Sequence, residues 1–140
     1  IKGIIKETKP RLIIVIDALA SRSIHRLNTT VQISDTGISP GSGVGNNRKA
    51  LNEESLGVKV IAIGVPTVVD AATIVADTLT KYMESTGFGE EDIFQFISEV
   101  NGSQMYNMFV TPKNIDEAVK EISYTLSEAL NSCFSQPIIT

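Results

Sequence analysis

The sharpest chemical signal in the sequence is Asp17, a carboxylate that directly follows the apolar run LIIVI at 12–16. A carboxylate at such a position can act as a general acid or base, and peptide hydrolysis would require a second carboxyl group or a metal beside it. The spacing of the sequence identifies neither partner. An aspartate at the end of a strand can also cap the turn that follows, so both interpretations of Asp17 stay open at this point.

The second signal is the glycine-rich segment DTGISPGSGVGNNRK at 35–49. Four glycines and a proline predict a long loop without regular structure, and long loops in compact domains usually have a function. Glycine backbones can form a nest for phosphate, but a Walker motif would place lysine and a hydroxyl where Asn46 and Asn47 stand. We therefore interpret the segment as a loop that faces a substrate or covers it, with these candidate residues: Asp35, Gly41, Ser42, Gly43, Gly45 and Asn46.

Three other side chains are weaker candidates. Arg22 and Arg26 lie one turn apart if their segment is helical, where they could steer an acidic substrate, pair with Asp17 or form salt bridges with other neighbours. Asp70 falls in the first turn of a predicted helix, where capping alone explains a carboxylate. That turn also follows the carboxyl end of the strand predicted at 58–65, where parallel sheets bind their ligands. One histidine and one cysteine in the chain offer few metal ligands, so we predict neither a metal nor a cofactor.

Strands and helices alternate in the hydrophobic pattern. This alternation predicts a single α/β domain over 1–140, with a mostly parallel sheet flanked by helices and ligands beyond the carboxyl ends of its strands. We accordingly expect Asp17 at the carboxyl end of a central strand that is buried on both faces. Strands are predicted at 11–16, 29–33, 58–65 and 105–110, and helices at 1–9, 52–56, 68–83, 90–100 and 112–134.

The composition excludes several classes of partner. Sixteen acidic and twelve basic residues give a net charge of −4 without a basic stripe, which argues against direct nucleic-acid binding. The apolar runs are far shorter than the roughly 20 residues of a membrane span. A single cysteine, without a CxxC pair or a secretory signal, fits the reducing cytoplasm.

Three motifs carry a resemblance to a known family: IDALASRS at 16–23, NTTVQISDTGISPGSGVGN at 28–46 and VIAIGVPTVVDAATI at 60–74. Together they resemble the spore germination protease family, and VTPKNIDEAVKEIS at 110–123 resembles it more loosely. The chain starts at Ile1 without methionine, so we expect it to be the carboxy-terminal portion of a longer protease.

The resemblance implies a fold similar to that of hydrogenase maturation proteases and catalysis by two aspartates. One of them maps onto Asp17, and the other belongs to an upstream motif that this chain lacks. It further implies an aspartic-type endopeptidase, made as a zymogen, that degrades small acid-soluble spore proteins during germination. The full-length protein is then expected to be a homo-oligomer in the cytoplasm of the spore core or forespore.

Two departures from the family pattern affect these expectations. The glycine-rich loop of the family usually reads GIHPGSGVGN, whereas Ser39 stands here in place of the histidine. The segment between Met83 and Val110 is also shorter than expected, and the fragment alone is expected to be inactive. Two alternative functions stay open: a non-catalytic binding or assembly module that presents the loop at 41–45, and a metal-dependent maturation-type endopeptidase in which Asp17 ligates the metal.

Overall fold

The computed structural model describes residues 1–45, 48–100 and 108–135. Helices and strands follow one another along these residues, which confirms the predicted α/β class. In chain order the elements are α1 (Lys2–Thr8), β1 (Leu12–Ser21), β2 (Gln32–Ser34), α2 (Glu53–Leu56), β3 (Lys59–Asp70), α3 (Ala71–Ser85), α4 (Glu90–Val100), β4 (Phe109–Val110) and α5 (Ile115–Ser135), with 3₁₀ turns at Ile24–Arg26 and Ser42–Val44.

Strand β3 is the centre of the described sheet. It pairs with β1 in parallel along ten residues of β1, from Leu12 opposite Lys59 to Ser21 opposite Val69. The short strands β2 and β4 pair with different parts of β3, and both run antiparallel to it. The sheet is therefore mixed, although its longest ladder is the predicted parallel one.

Strands β1 and β3 are both longer than the sequence pattern predicts. We expected β1 to end before Asp17, but Asp17 is the sixth of its ten residues and pairs with Gly64. Likewise β3 continues to Asp70, and α3 begins at Ala71 instead of at position 68. The reason is mutual pairing, because each strand supplies hydrogen-bonding partners for the residues by which the other is extended.

A β-bulge allows β3 to continue past Pro66. The register shifts after Leu19, so that Pro66 faces Leu19, Val68 faces Ala20, and Thr67 is an extra residue. Proline has no backbone N–H and is tolerated in strands mainly at edges and bulges. The carbonyl oxygen of Thr67 accepts a hydrogen bond from the hydroxyl of Thr111, at 3.0 Å.

The apolar core is built mainly on β3 and the helices that follow it. Its buried members are Val60, Ala62, Ile63, Val65, Val69, Ala72, Met83 and Ile93. Strand β1 contributes less than predicted, since Leu12 is 38% exposed and Ile16 is 53% exposed. In the described part of the chain β1 pairs with β3 along one edge, so the expected central strand buried on both faces is instead β3.

The strand expected at 29–33 begins three residues later, at Gln32. Residues 27–29 form a turn after the first 3₁₀ turn, with Asn28 at φ 56° and its N–H donating to the Pro66 carbonyl at 2.8 Å. This tertiary hydrogen bond keeps the start of the segment out of the sheet. The strand expected at 105–110 is present at Phe109–Val110, and the rest of that prediction falls outside the described residues.

The glycine-rich segment is closed at its base by an isolated antiparallel bridge between Ile38 and Leu51. The N–H of Ile38 donates to the carbonyl of Leu51 at 3.1 Å, and the reverse hydrogen bond is 2.8 Å long. Just before the bridge, Gly37 has φ 86°, and an added Cβ would meet the Leu51 carbonyl and the Asn52 backbone. The segment thus has more local structure than its composition predicts.

Helix α5 lies against the sheet through a partly open apolar interface. A cavity of about 230 Å³ separates it from β1 and β3, with Val119, Ile122 and Leu126 on the helix side. The helix was predicted to begin at Pro112, but it begins three residues later, at Ile115. None of the helices in the described ranges combines the length and the apolar character that a membrane span requires.

Candidate functional site

A cavity of about 440 Å³ lies between the second half of β1 and the glycine-rich segment. Asp17 is half-buried there, and it is the only carboxylate among the described residues that line the cavity. The other lining residues are Ala18, Leu19, Ala20, Ser21, Arg22, Arg26, Gln32, Ser39, Gly41, Ser42, Gly43 and Val44. Six consecutive residues of the chain, 17–22, therefore form one wall.

Asp17 pairs with Gly64 of the neighbouring strand, and the same glycine lies beneath the side chain of Leu19. Asp17 and Leu19 lie on the same face of β1, because side chains two apart in a strand share a face. The side chain of Leu19 lies over Gly64, where an added Cβ would be 2.8 Å from the Leu19 Cγ atom. Glycine at 64 thus makes room for Leu19, which forms the cavity wall beside Asp17.

Asp17 also borders the apolar cavity beneath α5. That second cavity is lined by Ile16, Val65 and Thr67 on the sheet side. Asp17 consequently lies between a polar space bordered by the glycine-rich segment and an apolar space bordered by α5. The polar cavity therefore gives solvent water access to the Asp17 carboxylate.

The opposite wall approaches β1 closely because of Gly43. A Cβ added at Gly43 would be 2.9 Å from the Cβ of Ala20, so no larger residue fits without displacing the segment. Of the candidates named from the sequence in this segment, the structure brings Gly41, Ser42 and Gly43 to the Asp17 cavity. Ser39, which stands at the family's histidine position, is also part of the wall.

The remaining candidates are placed elsewhere. Asp35 is exposed after β2, Gly45 is exposed and does not line the cavity, and Asn46 lies outside the described residues. Asp70 caps α3: its carboxylate accepts from the Thr73 N–H at 2.8 Å and from the Thr73 hydroxyl at 2.6 Å. The capping interpretation of Asp70 is thus the one that the geometry supports.

Arg22 and Arg26 both line the cavity, on the turn that leaves β1. Side chains fix the path of this turn. The buried Ser21 hydroxyl donates to the Ser23 carbonyl at 2.5 Å, and its oxygen also accepts from the Ser23 N–H at 3.3 Å. From α3, the Asp77 Oδ2 atom accepts from the Ser23 hydroxyl at 3.2 Å and from the Ile24 N–H at 2.9 Å.

Sequence reasoning missed Gln32, the burial of Ser21 and the contact of Asp77. The motif SRS at 21–23 has the composition of a solvated turn, and the partner of Ile24 is 53 residues away. Hydrogen bonds of that sequence separation have no local signature.

In the described part of the chain, no group of three or more His, Cys, Asp or Glu side chains is arranged to hold a metal ion. His25 is exposed within the first 3₁₀ turn. Within these residues the cavity therefore offers one carboxylate, two guanidinium groups and several hydroxyls. Such a set can bind a peptide and polarise a water molecule, and a second acid would complete a carboxylate pair.

Residues 1–91 match the family model described as Germination protease. The chain belongs to the germination protease family. The matched residues include Asp17, the glycine-rich segment and the whole of α3, which together carry the cavity and its supporting turn.

Curated relatives match over the whole chain. The germination protease of Caldanaerobacter subterraneus subsp. tengcongensis is 46% identical over 155 residues, which cover 100% of this chain and 48% of that protein. Those of Bacillus subtilis, at 38% over 183 residues, and Geobacillus sp., at 39% over 184 residues, each cover 99% of this chain and 50% of the relative. The chain spans about half the length of the curated relatives it matches.

The alignments with the Bacillus and Geobacillus proteins are longer than the 140 residues of this chain. These germination proteases therefore carry residues that have no counterpart here. The surrounding family match nevertheless covers β1, β3 and the segment between them, so the cavity walls are made of family-matched sequence.

Proposed function

We propose that the full-length protein containing this chain is an aspartic-type endopeptidase in which Asp17 is one of two catalytic carboxylates. The observation that carries the proposal is the position of Asp17 as the only carboxylate on the described wall of a cavity of about 440 Å³. Membership of the germination protease family supports a peptidase.

The proposed chemistry is general acid–base catalysis. Ionised Asp17 accepts a proton from a water molecule as the oxygen of that water attacks the peptide carbonyl carbon. A second, protonated carboxyl group from a part of the protein outside this chain donates its proton to the carbonyl oxygen, which gives a tetrahedral gem-diol. Asp17 then passes the proton taken from water to the amide nitrogen as the C–N bond breaks, and the second carboxylate takes a proton back from the gem-diol, which becomes the carboxylic acid product. Two observations support placing the second carboxyl group outside this chain. Asp17 is the only carboxylate among the described residues that line the cavity, and the relatives are about twice as long as this chain.

We further propose that the substrates are small acid-soluble spore proteins, cleaved during germination in the cytoplasm of the spore core. In this proposal the enzyme is made as a zymogen and forms a homo-oligomer. Arg22 and Arg26 contact the bound peptide at the mouth of the cavity, and the wall formed by Gly41, Ser42 and Gly43 faces its backbone.

The test replaces Asp17 by asparagine in the full-length protein. Asparagine keeps the shape of the side chain but cannot take up the proton, so the rate of cleavage of a small acid-soluble spore protein should fall about 10²-fold or more. Cleavage is followed by the loss of intact substrate on gels, and folding by thermal unfolding. Asp116→Asn, at an exposed site in the first turn of α5, is the matched control.

An Asp17→Asn variant that unfolds as the wild type does and cleaves at a similar rate would contradict the proposal. If the wild-type full-length protein binds the substrate without cleaving it, the alternative of a non-catalytic binding module is favoured instead. A variant that does not fold is replaced by Asp17→Glu, which retains a carboxylate but moves it by one methylene.

A further inference from the structure

We infer that Asp77 is a positioning residue for the candidate site: it holds the turn carrying Arg22 and Arg26 at the mouth of the Asp17 cavity. This inference rests on the proposed function, because the arginines are there assigned to the bound peptide. Asp77 is not among the residues lining the cavity, so it would act through the turn and not on the substrate.

The first reason is that the turn lacks a cap of its own. Ser23 occupies the N-cap position of the 3₁₀ turn Ile24–Arg26, but its side chain makes no capping hydrogen bond there. The N–H groups at the start of a helical turn need an acceptor. Asp77, on α3, supplies that acceptor to the Ile24 N–H at 2.9 Å.

The second reason is that the Asp77 carboxylate also binds Ser23, the N-cap residue of the same 3₁₀ turn. The Ser23 hydroxyl donates to Asp77 Oδ2 at 3.2 Å, so two consecutive residues of the turn are bound to one oxygen. Hydrogen bonds to an ionised acceptor are stronger than those between neutral groups. The hydrogen bond from Ser23 is partly buried, whereas the one from Ile24 is exposed to water.

The third reason is that a second side chain, that of Ser21, fixes the same segment at Ser23. The Ser21 hydroxyl, 3% exposed, bonds both the carbonyl and the N–H of Ser23. Arg22 lies between two anchored residues, and Arg26 ends the 3₁₀ turn that Asp77 caps. The segment that carries both arginines is thus held at Ser23 by Ser21 and Asp77, and at Ile24 by Asp77.

The experiment measures kcat and KM for cleavage of a small acid-soluble spore protein by the full-length protein and its Asp77→Ala variant. KM should rise about tenfold, the scale of a lost hydrogen bond to a charged group, while kcat stays within about twofold. Asp77→Asn keeps an oxygen acceptor for the Ile24 N–H and should restore most of the loss. Glu84→Ala removes an exposed carboxylate from the same helix and is the matched control.

A double-mutant cycle separates positioning from general stabilisation. In a protein that already carries Arg22→Ala and Arg26→Ala, adding Asp77→Ala should leave KM unchanged, because the groups that it positions are gone. Hydrogen exchange of residues 22–27 should also become about tenfold faster in Asp77→Ala, whereas β1 before Asp17 keeps its protection. If Asp77→Ala does not fold, Asp77→Ser provides the same test with a polar side chain too short to reach Ile24.

The inference is overturned if Asp77→Ala leaves KM unchanged, or if its effect persists undiminished in the arginine-free background. Equal losses in kcat and in the folded fraction would likewise assign Asp77 to stability alone. The proposed function fails separately, through an Asp17→Asn variant that still cleaves. An inactive Asp17→Asn combined with an unaltered Asp77→Ala refutes only the positioning role.

Discussion

Replacing Gly37 by alanine would test how the glycine-rich segment is held at its base. Gly37 has φ 86°, a region that residues with a Cβ rarely adopt. Gly37 also lies close to residues 51 and 52, which pair with the base of the segment. A Cβ added at Gly37 would be 2.7 Å from the Asn52 Cβ and 2.8 Å from the Asn52 Cα, and closer still to the Leu51 carbonyl oxygen. Two costs therefore act together at this one site.

The magnitude follows from treating these costs separately. A non-glycine residue in the left-handed region costs about 1–2 kcal/mol. Overpacking against neighbours that cannot move aside costs about 1–3 kcal/mol more, and here two of the three nearest atoms, the Leu51 carbonyl oxygen and the Asn52 Cα, belong to the backbone. We therefore expect Gly37→Ala to lower the free energy of unfolding by about 2–5 kcal/mol in total.

Gly57→Ala is the matched control. Gly57 has φ 70° at the end of α2, and an added Cβ there has no atom within 4 Å. This variant should show only the backbone cost, about 1–2 kcal/mol. Urea unfolding of the full-length protein and of both variants measures the difference, which isolates the steric contribution at Gly37.

Equal destabilisation by the two substitutions would refute the reasoning, because it would mean that the Leu51 carbonyl does not stand against Gly37. Gly37→Ala could instead destabilise only the glycine-rich segment and leave the free energy of global unfolding unchanged. In that case hydrogen exchange at Ile38 and Leu51 should rise, since their reciprocal hydrogen bonds form the base of the segment.

Two further predictions concern the cap of α3 and the wall of the cavity. Asp70→Ala should lower the free energy of unfolding by about 0.5–2 kcal/mol and leave kcat unchanged, whereas Asp70→Asn should lose less, as measured by urea unfolding and a cleavage assay. Gly43→Val should push the wall away from Ala20 and lower the cleavage rate by about tenfold or more, since small displacements at an active site are costly. Gly3→Val, where an added Cβ has no atom within 4 Å, controls for the substitution itself.

The sequence predicted the elements whose signal is local. The buried strand that became β3 and the helices α4 and α5 all follow from hydrophobic periodicity. Gly57 ends α2 with φ 70°, and the acceptor role of Asp70 follows from its place before a helix. These features depend on neighbours a few residues away, which a single sequence displays directly.

The predictions that failed depend on partners far along the chain. The extension of β1 beyond Asp17 follows from its pairing with β3, and β2 starts late because Asn28 bonds to the Pro66 carbonyl. Asp17 was thus expected at a strand end but lies within a strand. The closeness of Asp17 to the glycine-rich segment is easier to predict, because only a turn and the short strand β2 lie between β1 and that segment in the chain.

The residues of the candidate site likewise fall into those that the sequence predicted and those that it did not. Residue types alone pointed to Asp17 and to the glycines at 41 and 43, whose chemistry and freedom of approach are evident from the sequence. They did not point to Ser21 or Asp77, which act through hydrogen bonds to the backbone of the turn. Such supporting contacts arise only once the chain is folded, because any serine or aspartate on a helix or turn has the same local pattern.

The extra residue in β3 links the sheet to the helix that ends the chain's described part. Thr67 has no counterpart in β1, and its carbonyl is bound by the hydroxyl of Thr111, just before α5. The irregularity thus provides an attachment point for the approach to α5. A relative that lost the extra residue would also lose this acceptor, so the bulge and the residue at 111 should be inherited or replaced as a pair, with α5 docking differently where either is missing.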